Sequence, residues 1–111
     1  MTAAEFRRIA LSMTEASEGA HMEHPDFRVG GKIFATLGYP DKNYGMVILP
    51  PEEQERFVKS DSAAFTAAKG AWGVRGSTCV RLEVVDVSTL RRAIEIAWRK
   101  RAPTRLTSTL R

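Results

Sequence analysis

The glycine pair Gly30-Gly31, which joins two strand-like segments in the stretch DFRVGGKIFATL, constrains the fold more than any other feature of the sequence. Two consecutive glycines can both adopt positive φ without a Cβ penalty, and the tightest two-residue hairpin turns require that conformation. The stretch therefore predicts a β-hairpin of Phe27–Val29 against Lys32–Leu37, with Val29 opposite Lys32 and Phe27 opposite Phe34. We expect this hairpin to be a core motif of a β-sheet.

Helical patterns lie at both ends of the chain. Thr2 and Glu5 have the spacing of a capping box, which predicts a helix from about Ala3 to about Ala16. A helix near the other end should begin at Asp86 or Ser88, since either residue can cap it, and should stop at Pro103. Its apolar residues recur at helical spacing: Leu90, Ala93, Ile94, Ala97 and Trp98.

Between these helices the sequence predicts three elements besides the central hairpin, and it leaves the structure of two segments less defined. Tyr44–Leu49 has the apolar character of a buried strand, and Thr78–Val85 alternates as a half-buried strand should. Pro51 to about Lys59 begins with a proline and two acidic residues, which is typical of a helix start. Ser17–Pro25 has no clear period and is expected to be a loop, whereas Ser62–Ala68 fits either an edge strand or a loop.

The resulting order, α-β-β-β-α-β-β-α, is typical of a two-layer α+β fold with an antiparallel sheet of about five strands and three helices. A chain of 111 residues suits one domain, which we place at residues 1–103, with residues 104–111 as a mobile basic tail. No segment resembles a signal peptide or a membrane span. Because Cys79 is the only cysteine, an intramolecular disulfide is impossible, and we expect a cytoplasmic protein without a membrane partner.

The positive charge of the chain is concentrated at its C-terminal end. The formal net charge is +4, yet residues 1–87 carry ten basic and twelve acidic side chains, whereas residues 88–111 carry seven basic and one acidic. A local positive field attracts phosphates or acidic surfaces, so this asymmetry favours a nucleic acid or a protein as partner. The alternative is a solvated helix face whose cations complement the helix dipole.

Three blocks of the sequence resemble the MmcQ/YjbR family of small bacterial proteins: HPDFRVGGKIFATL, WGVRGSTCVRLE and AIEIAWRKRAP. The resemblance spans nearly the whole chain. It implies a two-layer α+β domain like those of the CyaY-like and secretion-chaperone-like groups. It also implies DNA binding through two hairpin wings, and it implies no catalytic residues.

Under this DNA-binding hypothesis, basic side chains near the two glycine-containing turns bind phosphates, and an aromatic residue beside them can stack on a base. The candidates at the turns are Arg28, Lys32, Lys69, Trp72 and Arg75. The candidates at the C-terminal end are Arg91, Arg92, Arg99, Lys100 and Arg101, followed by Arg105 and Arg111. Basic residues beside hairpin turns also protect edge strands from aggregation, and Trp72 can equally well cap the core.

Other reactive side chains give weaker signals. The spacing of His21 and His24 fits no recognised zinc pattern, so we expect no metal and no cofactor. Lys32 is either a buried amine or a lysine that extends to solvent. Cys79 is expected to be a small buried side chain and not a reactive thiol.

The sequence therefore favours a non-catalytic DNA-binding module. A protein-interaction adaptor with a secretion-chaperone-like shape, monomeric or homodimeric, is the alternative. A small enzyme is the third hypothesis, and it requires His21 or His24 to converge with Lys32 or an acid in a closed pocket.

Overall fold

The computed structural model describes residues 1–108, which contain one antiparallel sheet of six strands. The strands are β1 (Ser17–His21), β2 (His24–Val29), β3 (Lys32–Leu37), β4 (Tyr44–Ile48), β5 (Phe65–Ala67) and β6 (Ser77–Arg81). Their spatial order is β1-β2-β3-β4-β6-β5, so β1 and β5 form the two edges. The predicted α+β class with an antiparallel sheet is confirmed, with one strand more than expected.

Within residues 1–108 five helices accompany the sheet: α1 (Ala3–Leu11), α2 (Pro51–Ser60), α3 (Gly70–Val74), α4 (Val87–Arg101) and α5 (Thr104–Thr107). The capping box of α1 is present, since Thr2 Oγ1 accepts a hydrogen bond from Glu5 N at 3.1 Å and Glu5 Oε1 accepts one from Thr2 N at 3.0 Å. The helix ends earlier than the predicted Ala16. The Ser12 hydroxyl donates to the backbone of Ile9, and Glu15 has a φ of 55°, which no right-handed helix can accommodate.

The helices cover one face of the sheet and leave the opposite face largely open. In β4, Gly45 and Val47 are buried toward the helices, and the intervening Met46 and Ile48 point to the open face. An added Cβ at Gly45 would lie 2.5 Å from Phe6 Cε2, so α1 packs directly against β4. The largest fully buried side chains of the core include Phe6, Phe27, Phe34, Phe65, Leu90 and Ile94.

The central hairpin is confirmed at its turn and differs from the prediction farther away. Gly30 and Gly31 have φ values of 58° and 78°, and Val29 pairs with Lys32 as expected. However, Phe27 pairs with Ala35 and not with Phe34, because the register shifts after Arg28. A β-bulge adds one residue to β3 at this point, which lets Phe34 and Ala35 both point into the core.

The segment Ser17–Pro25, expected to be a loop, instead forms β1 and the start of β2. The two strands pair antiparallel through a turn at Met22 and Glu23, whose φ values are 47° and 68°. Tight hairpin turns require positive φ, but they usually use glycine or asparagine there. The prediction was wrong because β1 is an exposed edge strand without apolar alternation and its turn lacks these signal residues.

The residues before and around the second group of glycines, Gly70, Gly73 and Gly76, form a strand and a short helix and not a simple hairpin turn. β5 pairs with β6 as an edge strand, which decides between the two alternatives for Ser62–Ala68. The short helix α3 then connects the two strands, and an added Cβ at Gly73 would collide with Ala68 O. β6 ends at Arg81, four residues before the predicted Val85, because Val84 N and Val85 N both donate to Arg81 O and close a turn.

The C-terminal end is anchored more firmly than its composition suggests. α4 begins after Asp86 and ends before Pro103, as predicted. Residues 104–107, which we expected in a mobile tail, form α5 with Leu106 buried. Arg105 donates to both carboxylate oxygens of Glu15, at 2.9 and 3.1 Å, and thereby links α5 to the segment after α1. Arg111 lies outside the described residues.

Candidate nucleic-acid interface

A groove of about 760 Å³ lies on the open face of the sheet. Its apolar floor consists of side chains from β3, from β4 and from the residue that follows β5: Ile33, Met46, Ile48 and Ala68. Met22 and Tyr39 line one end, where the β1–β2 turn lies, and the β2–β3 turn, α3 and the end of α4 line the other. Clefts of several hundred Å³ with an apolar floor and a few polar groups are the usual form of a ligand site.

Five residues predicted from the sequence come together around this groove: Arg28, Lys32, Lys69, Trp72 and Arg101. The fold brings the end of α4 to the β2–β3 turn, because an added Cβ at Gly30 would lie 2.9 Å from Pro103 Cγ. No described residue that lines the groove is acidic. A cleft whose charged groups share one sign concentrates the electric field and attracts ligands of opposite charge.

Trp72 is an exposed aromatic residue at the α3 end of the groove. Its side chain is 69% exposed, on the short helix α3. The alternative that it caps the core is therefore wrong, and that role belongs to Trp98, which is buried and donates from Nε1 to Thr14 O at 2.9 Å. An indole held in solvent beside cations can stack on a flat ligand.

Three cations of the groove are free to bind a ligand. Within residues 1–108, the side chains of Lys32, Lys69 and Arg101 form no salt bridge and no hydrogen bond. Arg101 Nε is buried without a partner, so part of this guanidinium has lost water without gaining an acceptor. Cations with unused donors are suited to bind phosphate or carboxylate groups.

Six other candidates do not line the groove: Arg75, Arg91, Arg92, Arg99, Lys100 and Arg105. Several of them already have partners within the fold. The Arg92 guanidinium lies 5.5 Å from the centre of the Phe57 ring, and Arg99 lies 3.8 Å from the Glu95 carboxylate one turn earlier on α4. Arg92 and Arg99 therefore each contact a different part of the fold.

Lys100 has a structural role in the fold. Its Nζ donates to Leu49 O at 3.1 Å and to Arg75 O at 3.3 Å, so it ties the end of α4 to the end of β4 and to the C-cap of α3. Burial lowers the pKa of Lys100 below its ordinary value. These contacts account for Lys100 without a ligand.

Arg28 differs from the free cations because a buried carboxylate fixes it. Asp26 is fully buried and accepts from Arg28 Nε at 2.8 Å and from Arg28 Nη2 at 3.0 Å. His21 Nδ1 lies 2.9 Å from the second carboxylate oxygen. Hydrogen bonding from Arg28 holds the pKa of Asp26 below its ordinary value. Gly19 on β1 leaves room for this cluster, since an added Cβ there would lie 3.0 Å from Asp26 Oδ1.

The histidines do not assemble the convergent site that the enzyme hypothesis requires. His21 meets the acid Asp26, but it does so beside an open groove. Lys32 lies across from Val29, which is five residues along β2 from His24, or roughly 17 Å in an extended strand. Among residues 1–108 no group of three or more metal-ligating side chains is close enough to hold an ion.

Cys79 is buried in β6, and this burial raises the pKa of its thiol. A raised pKa keeps the thiol protonated, and a buried protonated thiol is a poor nucleophile. This agrees with its interpretation as a small buried side chain.

Sequence reasoning missed the apolar floor of the groove. Tyr44–Leu49 looks uniformly buried, because the sequence shows one apolar run and not the alternation between core and groove that the strand displays. It also missed Met22 and Tyr39, which line the groove and are exposed. Their only signal is that each is a large apolar side chain within a stretch that the sequence does not assign to a helix or a strand.

The model of the YjbR family matches residues 11–100, which is most of the chain. The chain belongs to the YjbR family. Among solved structures, it is similar to the crystal structure of Deinococcus radiodurans protein DR2400, which has a DUF419 domain. The TM-score is 0.73 at 13% sequence identity, over 87% of this chain and 75% of that chain. No curated protein matches the sequence significantly.

These similarities confirm the resemblance found in the sequence and the fold of this YjbR-family chain. At 13% identity the structural match concerns the fold alone. No helix within residues 1–108 is long and apolar enough to cross a membrane.

Proposed function

We propose that the protein is a non-catalytic nucleic-acid-binding module of the cytoplasm, and that the groove on the open face of the sheet is its binding site. The observation that carries this proposal is the group of unpaired cations Lys32, Lys69 and Arg101 at one end of the groove, together with the exposed Trp72. Phosphates supply the anions that these cations lack, and nucleobases supply flat surfaces for the indole. The lone, unpaired Cys79 fits a reducing compartment.

In this proposal both predicted wings and α4 contribute, but through selected residues. The β2–β3 turn provides Lys32, the segment after β5 provides Lys69 and Trp72, and α4 provides Arg101. Arg28 is a fourth cation, preorganised by Asp26. Direct readout of base sequence is not expected, since no residue within 1–108 that lines the groove is Asn or Gln.

The salt dependence of binding tests the proposal. With four phosphate contacts, log K should fall with log[salt] at a slope of about −2.8 for a single strand or −3.6 for a duplex, which is roughly a 50- to 150-fold loss between 50 and 200 mM salt. Fluorescence anisotropy with labelled oligonucleotides measures this slope. The triple variant K32Q/K69Q/R101Q should reduce its magnitude by about 2 to 3.

A matched control removes the same charge elsewhere. The variant R91Q/R92Q/R99Q neutralises three cations of α4 that do not line the groove, so it should keep the slope. If both triple variants lose affinity equally, binding depends on net charge and not on the groove. If the unaltered protein fails to bind either oligonucleotide at 50 mM salt, the proposed function is wrong.

A protein-interaction adaptor is the second candidate function, and the apolar floor favours it. Ile33, Met46 and Ile48 give the groove a surface on which an apolar peptide side chain can be buried. Light scattering would detect a homodimer formed through this face. The adaptor function gains support if the protein does not bind oligonucleotides and if Met46→Glu abolishes self-association or the binding of a defined peptide ligand.

A further inference from the structure

We infer that the groove receives an unpaired nucleotide, so that the protein selects single-stranded over duplex nucleic acid. This inference rests on the proposed function and specifies its ligand. It follows from the joint presence of an apolar floor and an exposed indole in a cationic cleft.

The shape of the groove argues for a base inside it. The floor residues Ile33, Met46 and Ile48 lie on the sheet, while Trp72 stands at one end. Bases in a duplex already stack on their neighbours, and extracting one costs a few kcal/mol. An unpaired base has no base pair to break, so it can cover the apolar floor and stack on Trp72 at a lower cost.

The polar side chains of the groove complement this arrangement. Hydroxyl groups from Thr36, Tyr39 and Ser77 line it and can form hydrogen bonds with base edges. The free cations Lys32, Lys69 and Arg101 share the end of the groove where Trp72 lies, so a phosphate next to the stacked base meets them. A purely apolar peptide would leave these three cations without partners, which favours the nucleotide as occupant.

The experiment compares a labelled single strand of twelve nucleotides with the duplex of the same sequence, at one salt concentration. The single strand should bind at least tenfold more tightly. Trp72→Ala should lower its affinity by roughly 5- to 150-fold, which is the range for loss of one base–aromatic stack. Trp72→Phe should retain most of the affinity. Val74→Ala is the control, because Val74 is also an exposed apolar residue of α3 but lies outside the groove.

Intrinsic fluorescence gives an independent readout. Besides Trp72 the chain has one tryptophan, Trp98, which is buried, so quenching by an unlabelled single strand should disappear in Trp72→Ala. Equal affinity for duplex and single strand, unchanged by Trp72→Ala but lost in K32Q/K69Q/R101Q, would overturn the inference and leave the proposed function standing. Absence of binding to both oligonucleotides would remove the proposed function itself. Binding of an apolar peptide in competition with the single strand, with higher affinity, would assign the groove to a protein partner and overturn the inference.

Discussion

Replacing Asp26 by asparagine should destabilise the fold and make its stability less sensitive to acid. Asp26 is fully buried and accepts two hydrogen bonds from Arg28, with His21 against the same carboxylate. Hydrogen bonds to a charged group contribute about 1.5–3 kcal/mol. Since 39% of the Arg28 side chain is exposed and can regain water, we expect Asp26→Asn to cost about 2 kcal/mol at pH 7. For a domain of this size, that lowers Tm by roughly 8–16 °C.

The pH dependence of this loss follows from the direction of the pKa shift. Because the pKa of Asp26 is lowered in the folded protein, its carboxylate stabilises the fold fully above about pH 5, and this contribution is lost as the pH falls below about 3.9. Urea unfolding followed by circular dichroism at pH 7 and at pH 3 measures the difference between the two proteins. The difference should shrink at pH 3.

Glu23→Gln is the matched control, since Glu23 is an exposed carboxylate in the turn of the same hairpin. It should change the unfolding free energy by less than about 0.5 kcal/mol. An equal cost for both variants, or an Asp26→Asn cost that is the same at both pH values, would refute the assignment of the stabilisation to the buried carboxylate.

Two further substitutions test the packing that supports the groove. Gly45→Ala should lower the unfolding free energy by about 1–3 kcal/mol, because its Cβ would meet the Phe6 ring at 2.5 Å. Phe6→Leu should then cost less in the Gly45→Ala background than in the unaltered protein. If urea unfolding shows that the two costs are additive, the close contact between Gly45 and Phe6 is contradicted. Lys100→Met should cost about 1–2 kcal/mol by leaving Leu49 O and Arg75 O without their donor, while oligonucleotide affinity stays the same. A loss of affinity with unchanged stability would instead make Lys100 part of the binding site.

The sequence contains strong signals for some parts of the fold and none for others. The Gly30-Gly31 turn and α4 were predictable, because a local φ requirement and a helical apolar period each determine structure within a few residues. β1 was not predictable, because its residues do not alternate between polar and apolar and its turn lacks glycine and asparagine. Nor was α5, whose stability depends on the burial of Leu106 and the pairing of Arg105 with Glu15, 90 positions away.

The residues of the candidate site were likewise only partly predictable from the sequence. Basic and aromatic residues near the glycine turns indicated four of the five predicted residues that the groove brings together: Arg28, Lys32, Lys69 and Trp72. The sequence could not show which cations have internal partners, since the acceptors of Lys100 are backbone carbonyls of distant elements. It also could not distinguish Arg101, which lines the groove, from Arg99 on the same helical turn.

The bulge at Phe34 limits how the length of this hairpin can vary among relatives. Before the bulge, Ile33 pairs with Arg28 and faces the groove, and after it Thr36 returns to the same face only because one residue has been inserted. Deleting a single residue between Gly31 and Ala35 would reverse the phase on one side of the deletion and exchange solvent-facing for core-facing side chains. Changes of hairpin length in this family should therefore come in steps of two residues, or should be accompanied by a displaced bulge.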